Sequence, residues 1–147
     1  MNGGASFDLQ RFVTAQDDGQ TYIQALSELR RGRKVSHWMW FVFPQIAGLG
    51  NSPTSRYYAI TSLDEARAYL AHPVLGPRLR DSAQLLLDTP VSTAEDIFGV
   101  LDAQKLRSSM TLFARAAPDE PVFRQVLERY FRGVPDAMTE GVLGRPE

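Results

Sequence analysis

Cysteine is absent from the 147 residues. That removes disulfides, thiolate nucleophiles and cysteine-bound metal from consideration, and a reducing compartment is compatible with it. Histidine is scarce, with two residues in the chain, and without thiolates this is too few to build a structural zinc site. Neither charge dominates: 16 Lys and Arg stand against 17 Asp and Glu, for a net charge of −1. The broad positive field of a protein that holds nucleic acid by phosphate contacts is therefore missing. Long apolar runs are missing too, since the longest covers residues 38–43 and a bilayer span needs about 20 residues. Residues 1–6 lack the charged start and apolar run of a signal peptide. These absences lead us to expect a cytoplasmic chain with no metal, no cofactor and no membrane partner, and they argue against nucleic acid as a partner.

Strand pairs joined by two-residue turns are also missing, and no segment repeats at a fixed period. Helical signals fill their place. Tyr22, Ala25, Leu26 and Leu29 fall at i, i+3, i+4 and i+7, with Arg30, Arg31 and Gly32 closing that helix. Ser62 followed by Glu65, and Ser92 followed by Glu95, form two capping boxes. His72-Pro73 and Thr89-Pro90 are stops. A short helix is predicted from Thr93 to Gly99, and Asp102 can cap a further one carrying Leu106, Met110 and Phe113. Pro121 opens a last helix with Val122, Val126, Leu127 and Tyr130 on one face, and Gly133 ends it. The expected fold class is all-α, a compact multihelical single domain of about six to eight helices. It would occupy residues 7–133, with a disordered N-terminus at 1–6 and a C-terminal tail at 134–147.

Residues 38–43 read Trp-Met-Trp-Phe-Val-Phe, with neither clean alternation nor a one-sided helical stripe. The segment must be buried nearly all round. Its residue types favour strand, while Ser36 as a cap and Pro44 as a stop favour a short helix, which is the reading we prefer. Gly48, Gly50, Asn51 and Pro53 then mark a loop of the kind that often borders sites.

Several side chains invite a chemical reading beside an ordinary one. His37 against Trp38 can transfer a proton, although a core or capping histidine serves as well. His72 at a helix end needs only the helix dipole to explain it. Trp38, Trp40, Phe41 and Phe43 can stack on a flat ring or simply fill a core. Asp102, Lys105 and Ser109 share one helix face with Ser108 beside them, and can hold a phosphate or carboxylate or merely face solvent. Arg30, Arg31, Arg33 and Lys34 can touch phosphates or only complement a helix end. No nucleophile elbow, metalloprotease helix, kinase set or Walker motif is present.

Three blocks, SHWMWFVFPQIAGLGNS at 36–52, SRYYAI at 55–60 and LDAQKLRSSMTLF at 101–113, stand in the order found in the bacterial and fungal family called domain of unknown function 1810. The chain resembles that family over about residues 7–132, including 7–16 and 71–76, and the resemblance implies a multihelical fold. Many members carry the label calpastatin. An inhibitor of that type is a long disordered chain that folds upon a protease, whereas this sequence is compact and rich in aromatic core residues, so we reject that function. The general design is also similar to NADAR proteins, helical enzymes acting on ADP-ribose derivatives. No Glu occurs from His37 to Gln45, where that motif would want one.

The functional expectation is a small-molecule pocket, with or without enzyme activity, for a nucleotide-derived or other anionic ligand. Its catalytic candidates are His37, Asp102 and Lys105. Its binding candidates are Trp38, Trp40, Gln45, Ser55, Tyr58, Ser108 and Ser109. The alternative is a non-enzymatic protein-interaction module in which the aromatic block is core and a helix groove binds a partner.

Overall fold

Gly32, Pro44, Pro73, Pro90 and Pro118 each forbid or discourage continued helix, and the backbone leaves helix at or just before every one of them. The structure is a computed structural model describing residues 7–90 and 93–144. In chain order its helices are α1 (Gln10–Asp17), α2 (Thr21–Arg30), α3 (Met39–Val42), α4 (Pro53–Tyr57), α5 (Leu63–Ala71), α6 (Leu75–Asp88), α7 (Ala94–Ala116), α8 (Pro121–Phe131) and α9 (Ala137–Leu143). A 3-10 turn, Asp18–Gln20, joins α1 to α2. Among the described residues there is no strand, and none of the helices is long and apolar enough to cross a membrane.

Helix α7 is the central element, packed by α5, α8 and α9. Residues 108–113 are all buried, so here the helix loses any solvent face, and Met110, Leu112 and Phe113 sit in one core with Phe12, Trp38, Tyr69, Leu79 and Phe123. Full burial of such side chains contributes about 1.5–3 kcal/mol each. Gly76 lets α6 start close against the end of α5: a Cβ there would lie 2.1 Å from the Leu70 carbonyl oxygen, so any side chain would force the helices apart.

Residues 38–43 form a single helical turn, α3, with Trp38, Met39, Val42 and Phe43 buried and Trp40 and Phe41 half-buried. The short-helix reading was right, and burial on almost every side explains why periodicity was uninformative. The loop that follows is stapled by one parallel bridge, Ile46 to Ile60, in which Ile60 N–H donates to the Gln45 carbonyl at 2.8 Å and Ala47 N–H to the Ile60 carbonyl at 2.8 Å. Both isoleucines are buried, and their bridge holds Gln45 and the loop beyond it in place.

Four local readings are corrected. Ser62 caps α5 through the Glu65 N–H at 3.1 Å, but the Glu65 carboxylate takes the N–H and hydroxyl of Thr61 and the guanidinium of Arg11 rather than closing a box on Ser62. Ser92 lies outside the described residues; the cap of α7 is Thr93, whose hydroxyl accepts from Asp96 N–H at 3.0 Å. His72 serves the next helix rather than the end of α5: its Nδ1 accepts N–H groups from Val74 and Leu75 and so caps the start of α6. Residues 134–147 were expected to be tail, yet 137–143 form α9, because Asp136 caps it from a buried position and Thr139 is buried under it. The expected disorder of residues 1–6 lies outside the described residues.

Candidate ligand groove

The groove is built around a break in α7. Gly99 has φ +80° and ψ 169°, a conformation that favours glycine, and it separates a first turn ending at Phe98 from the long run beyond. The two predicted helices are therefore both present, meeting directly at Gly99 within α7. Asp102 lies within the first turn after Gly99 rather than capping it. The break brings Asp102 against the loop after α2, where Lys34 N–H donates to the Ile97 carbonyl at 2.7 Å.

Asp102 lies between two ammonium groups. Lys34 Nζ is 2.8 Å from one carboxylate oxygen and Lys105 Nζ 3.1 Å from the other. Burial alone would raise the Asp102 carboxyl, but hydrogen bonds and charge from Lys34 and Lys105 outweigh it and hold the group below the ordinary carboxylate value. Each lysine also faces an aromatic ring, Lys34 at 5.2 Å from the Trp38 ring centre and Lys105 at 4.7 Å from that of Trp40. The Lys34 side chain is only 8% exposed, so the Asp102 carboxylate takes the place of much of the water around its ammonium group.

The loop that carries Lys34 and His37 is anchored from below by Glu28, a fully buried carboxylate on α2. It accepts Val35 N–H at 2.7 Å, Ser36 N–H at 3.0 Å, Trp38 Nε1–H at 2.9 Å, Gln24 Nε2 at 3.0 Å and the Ser36 hydroxyl. Burial pushes the Glu28 carboxyl up, yet the Ser36, Val35 and Gln24 donors outweigh it and bring it down to about 2.

Three adjoining concavities surround Trp40 and Lys105. One, of about 420 Å³, is walled by Lys34, His37, Trp40, Leu101, Asp102 and Lys105. A second, of about 380 Å³, has Trp40, Gln45, Ser55, Arg56 and Tyr58. The third, of about 290 Å³, has Gln45, Ser55, Lys105, Ser108, Leu101 and Met138. Trp40 is common to the first two, Lys105 to the first and third, and Gln45 and Ser55 to the second and third. All three sequence blocks therefore meet along one groove. Its walls carry Lys34, Lys105, Arg56 and His37 against the carboxylates of Asp102 and, at the far end, Asp136.

Most of the residues expected at a shared site do line it: His37, Trp40, Gln45, Ser55, Tyr58, Asp102, Lys105 and Ser108. His37 is exposed at the rim. Tyr58 packs on Phe41 and Phe12 with ring centres at 5.3 and 6.0 Å, and burial first of all raises its phenol. Two residues are displaced. Trp38 is fully buried with its indole N–H on Glu28, so it supports the groove from inside the core. Ser109 is fully buried with its hydroxyl unpartnered, because the polar stripe beginning at Asp102 runs into the stretch of α7 that is enclosed on all sides. Ser108 borders the groove while its hydroxyl lies 3.2 Å from an Asp136 oxygen.

Sequence reasoning missed Glu28, Asp136 and Arg56. Glu28 sits directly before Leu29 and three residues after Ala25, both on the buried face of α2, and an acid in that position is a signal of a buried hydrogen-bond hub. Asp136 accepts Thr139 N–H at 2.9 Å, the Thr139 hydroxyl at 2.6 Å and Gln104 Nε2 at 2.6 Å; the spacing of Asp136 and Thr139 is an N-cap pattern that was legible in advance. Arg56 showed no pattern. Among the described residues no group of three His, Asp or Glu is placed to hold a metal ion.

The sequence profile of the family described as a protein of unknown function, DUF1810, matches residues 6–143. The chain belongs to this family. A solved structure of the conserved hypothetical protein Rv1873 from Mycobacterium tuberculosis is similar at 48% sequence identity and a TM-score of 0.91, covering 95% of this chain and 99% of that one. Among curated proteins none matches. The family match and this structural neighbour agree with the helical fold, and neither carries an assigned activity.

Proposed function

We propose that this protein binds a small anionic molecule in the groove around Trp40 and Lys105. The observation that carries the reading is convergence: side chains from blocks far apart in sequence share walls of the same groove, and cations outnumber carboxylates there. Lys105 keeps N–H groups beyond the one directed at Asp102, and Trp40 gives a half-buried ring for a flat group such as the base of a nucleotide. Gln45 has a side-chain amide free to read a polar group on the ligand. The charge pattern favours binding over turnover, since a carboxylate held down by two ammonium groups is a poor proton acceptor. If the groove also catalyses, His37 is its proton carrier and Asp102 holds the lysines in place.

The test is a thermal-shift screen with nucleotides, ADP-ribose and common metabolites, repeated on Lys105→Ala. A ligand that prefers the folded state raises its stability, and Lys105→Ala should abolish the shift while leaving the unliganded melting temperature within a few degrees. No shift with any compound would favour the second reading, a protein-interaction module. That reading draws support from Val100, Leu101 and Met138, which are large, apolar and exposed close to the groove.

A further inference from the structure

Leu101 and Met138 are 78% and 66% exposed, an arrangement that leaves apolar surface in water. They are not scattered. Both line the third concavity, together with Leu49 from the glycine-containing loop. Leu101 projects from α7 just past the Gly99 break, and Met138 from the first turn of α9. The position of α9 is fixed by the buried Asp136 cap described above, so Met138 is presented by an anchored element. This apolar arm opens directly onto Lys105, which is shared with the lysine-lined concavity. A cation at the mouth of an apolar arm is complementary to a molecule with an anionic head and an apolar substituent next to it.

We infer that the ligand is an amphiphilic anion: a phosphate or carboxylate seated at Lys105, carrying an aliphatic group that lies between Leu49, Leu101 and Met138. This rests on the anion-binding reading above and adds the chemical class. Leu101 and Met138 are then the residues that select for the aliphatic part. Their exposure in the free protein is the expected condition of an apolar subsite that is covered only when the ligand arrives.

The test compares matched pairs of probes on the full chain: inorganic phosphate with hexyl phosphate, and acetate with hexanoate. Binding is read from the Trp40 indole N–H resonance. The phosphate and carboxylate pairs separate the two possible head groups. Burying a methylene strengthens binding by up to about fourfold, so the aliphatic member of at least one pair should bind more than about tenfold tighter than its short partner. Leu101→Ser should close most of that gap, and so should Met138→Ser; both positions are exposed, so the fold is kept, as circular dichroism would verify. Equal affinity within both pairs overturns this inference alone and leaves the anion-binding reading standing. A gap that survives both substitutions also overturns it, since the aliphatic group would then lie elsewhere. If no probe moves the Trp40 resonance, both readings fall together. Concentration-dependent self-association abolished by Leu101→Ser, without a chain-length effect, would reassign the apolar arm to an interface between copies.

Discussion

Two carboxylates within the same region of the fold are held in opposite ways. Glu28 is fully buried and satisfied by neutral donors, from the backbone of Val35 and Ser36 and the side chains of Ser36, Trp38 and Gln24. Asp102 is partly exposed and satisfied by two cations, Lys34 and Lys105. Several donors converging on one acid fix geometry, because each holds a different atom of the loop. Two ammonium groups on one acid leave positive charge over, because only one of the two is neutralised. Glu28 therefore shapes the loop and Asp102 sets the electrostatics of the groove that the loop helps to wall.

The largest expected effect is on the first of them. Glu28→Ala strands the Trp38 indole N–H and two backbone N–H groups, and should lower stability in urea denaturation by about 3–5 kcal/mol. The acid limb of the stability profile sharpens the point. Glu28 is held at about 2 against an ordinary 4.5, so its contribution is complete above the unfolded value and is lost as pH falls through that window. About 3 kcal/mol should disappear there, and Glu28→Gln should flatten this part of the urea-midpoint profile. A loss under about 1 kcal/mol for Glu28→Ala would show that the donors find other partners and would end the contrast.

Asp102→Asn should cost less, about 1–2 kcal/mol, since Lys34 keeps a hydrogen-bonding neighbour and the Trp38 face. Removing the negative charge should at the same time tighten anion binding by about fivefold at low salt. Titration of hexyl phosphate at two ionic strengths checks both the gain and its screening. Weaker binding would mean that Asp102 positions Lys105 more than it competes with the ligand. The smallest effect belongs to Ser109→Ala. Its hydroxyl is buried without a partner, so the substitution should be neutral or stabilise by up to about 1 kcal/mol in the same urea assay. A clear loss would show that the hydroxyl has a partner in solution.

Much of the helical layout was legible because helix ends are written locally. Pro121, Gly133 and the Ser62 hydroxyl act on their own neighbours, so sequence shows them directly. The α9 helix was missed although Asp136 and Thr139 carry the cap signal, because it is only seven residues long, its Met138 and Val142 are exposed rather than on a core face, and polar atoms of α7 hold the cap that starts it. At the groove, most named residues do come together, since the blocks mixed aromatics with polar groups that packing does not need. Ser109 was misplaced because periodicity says which residues share a face, and only the neighbouring elements say whether that face meets solvent; Trp38 stands in a block with no periodic face, and only its contact with Glu28 shows that it points into the core.

The sequence by itself determined a helical chain with stops at its prolines and glycines, and an aromatic block too apolar to stand in water. It determined this because backbone hydrogen bonding and side-chain burial are settled over a few residues. Only the tertiary structure decided that Glu28 would be buried and Asp102 shared between two lysines, and that Trp40 and Lys105 would stand at the junction of three concavities. Those outcomes depend on contacts between residues dozens of positions apart, whose energies no local pattern records.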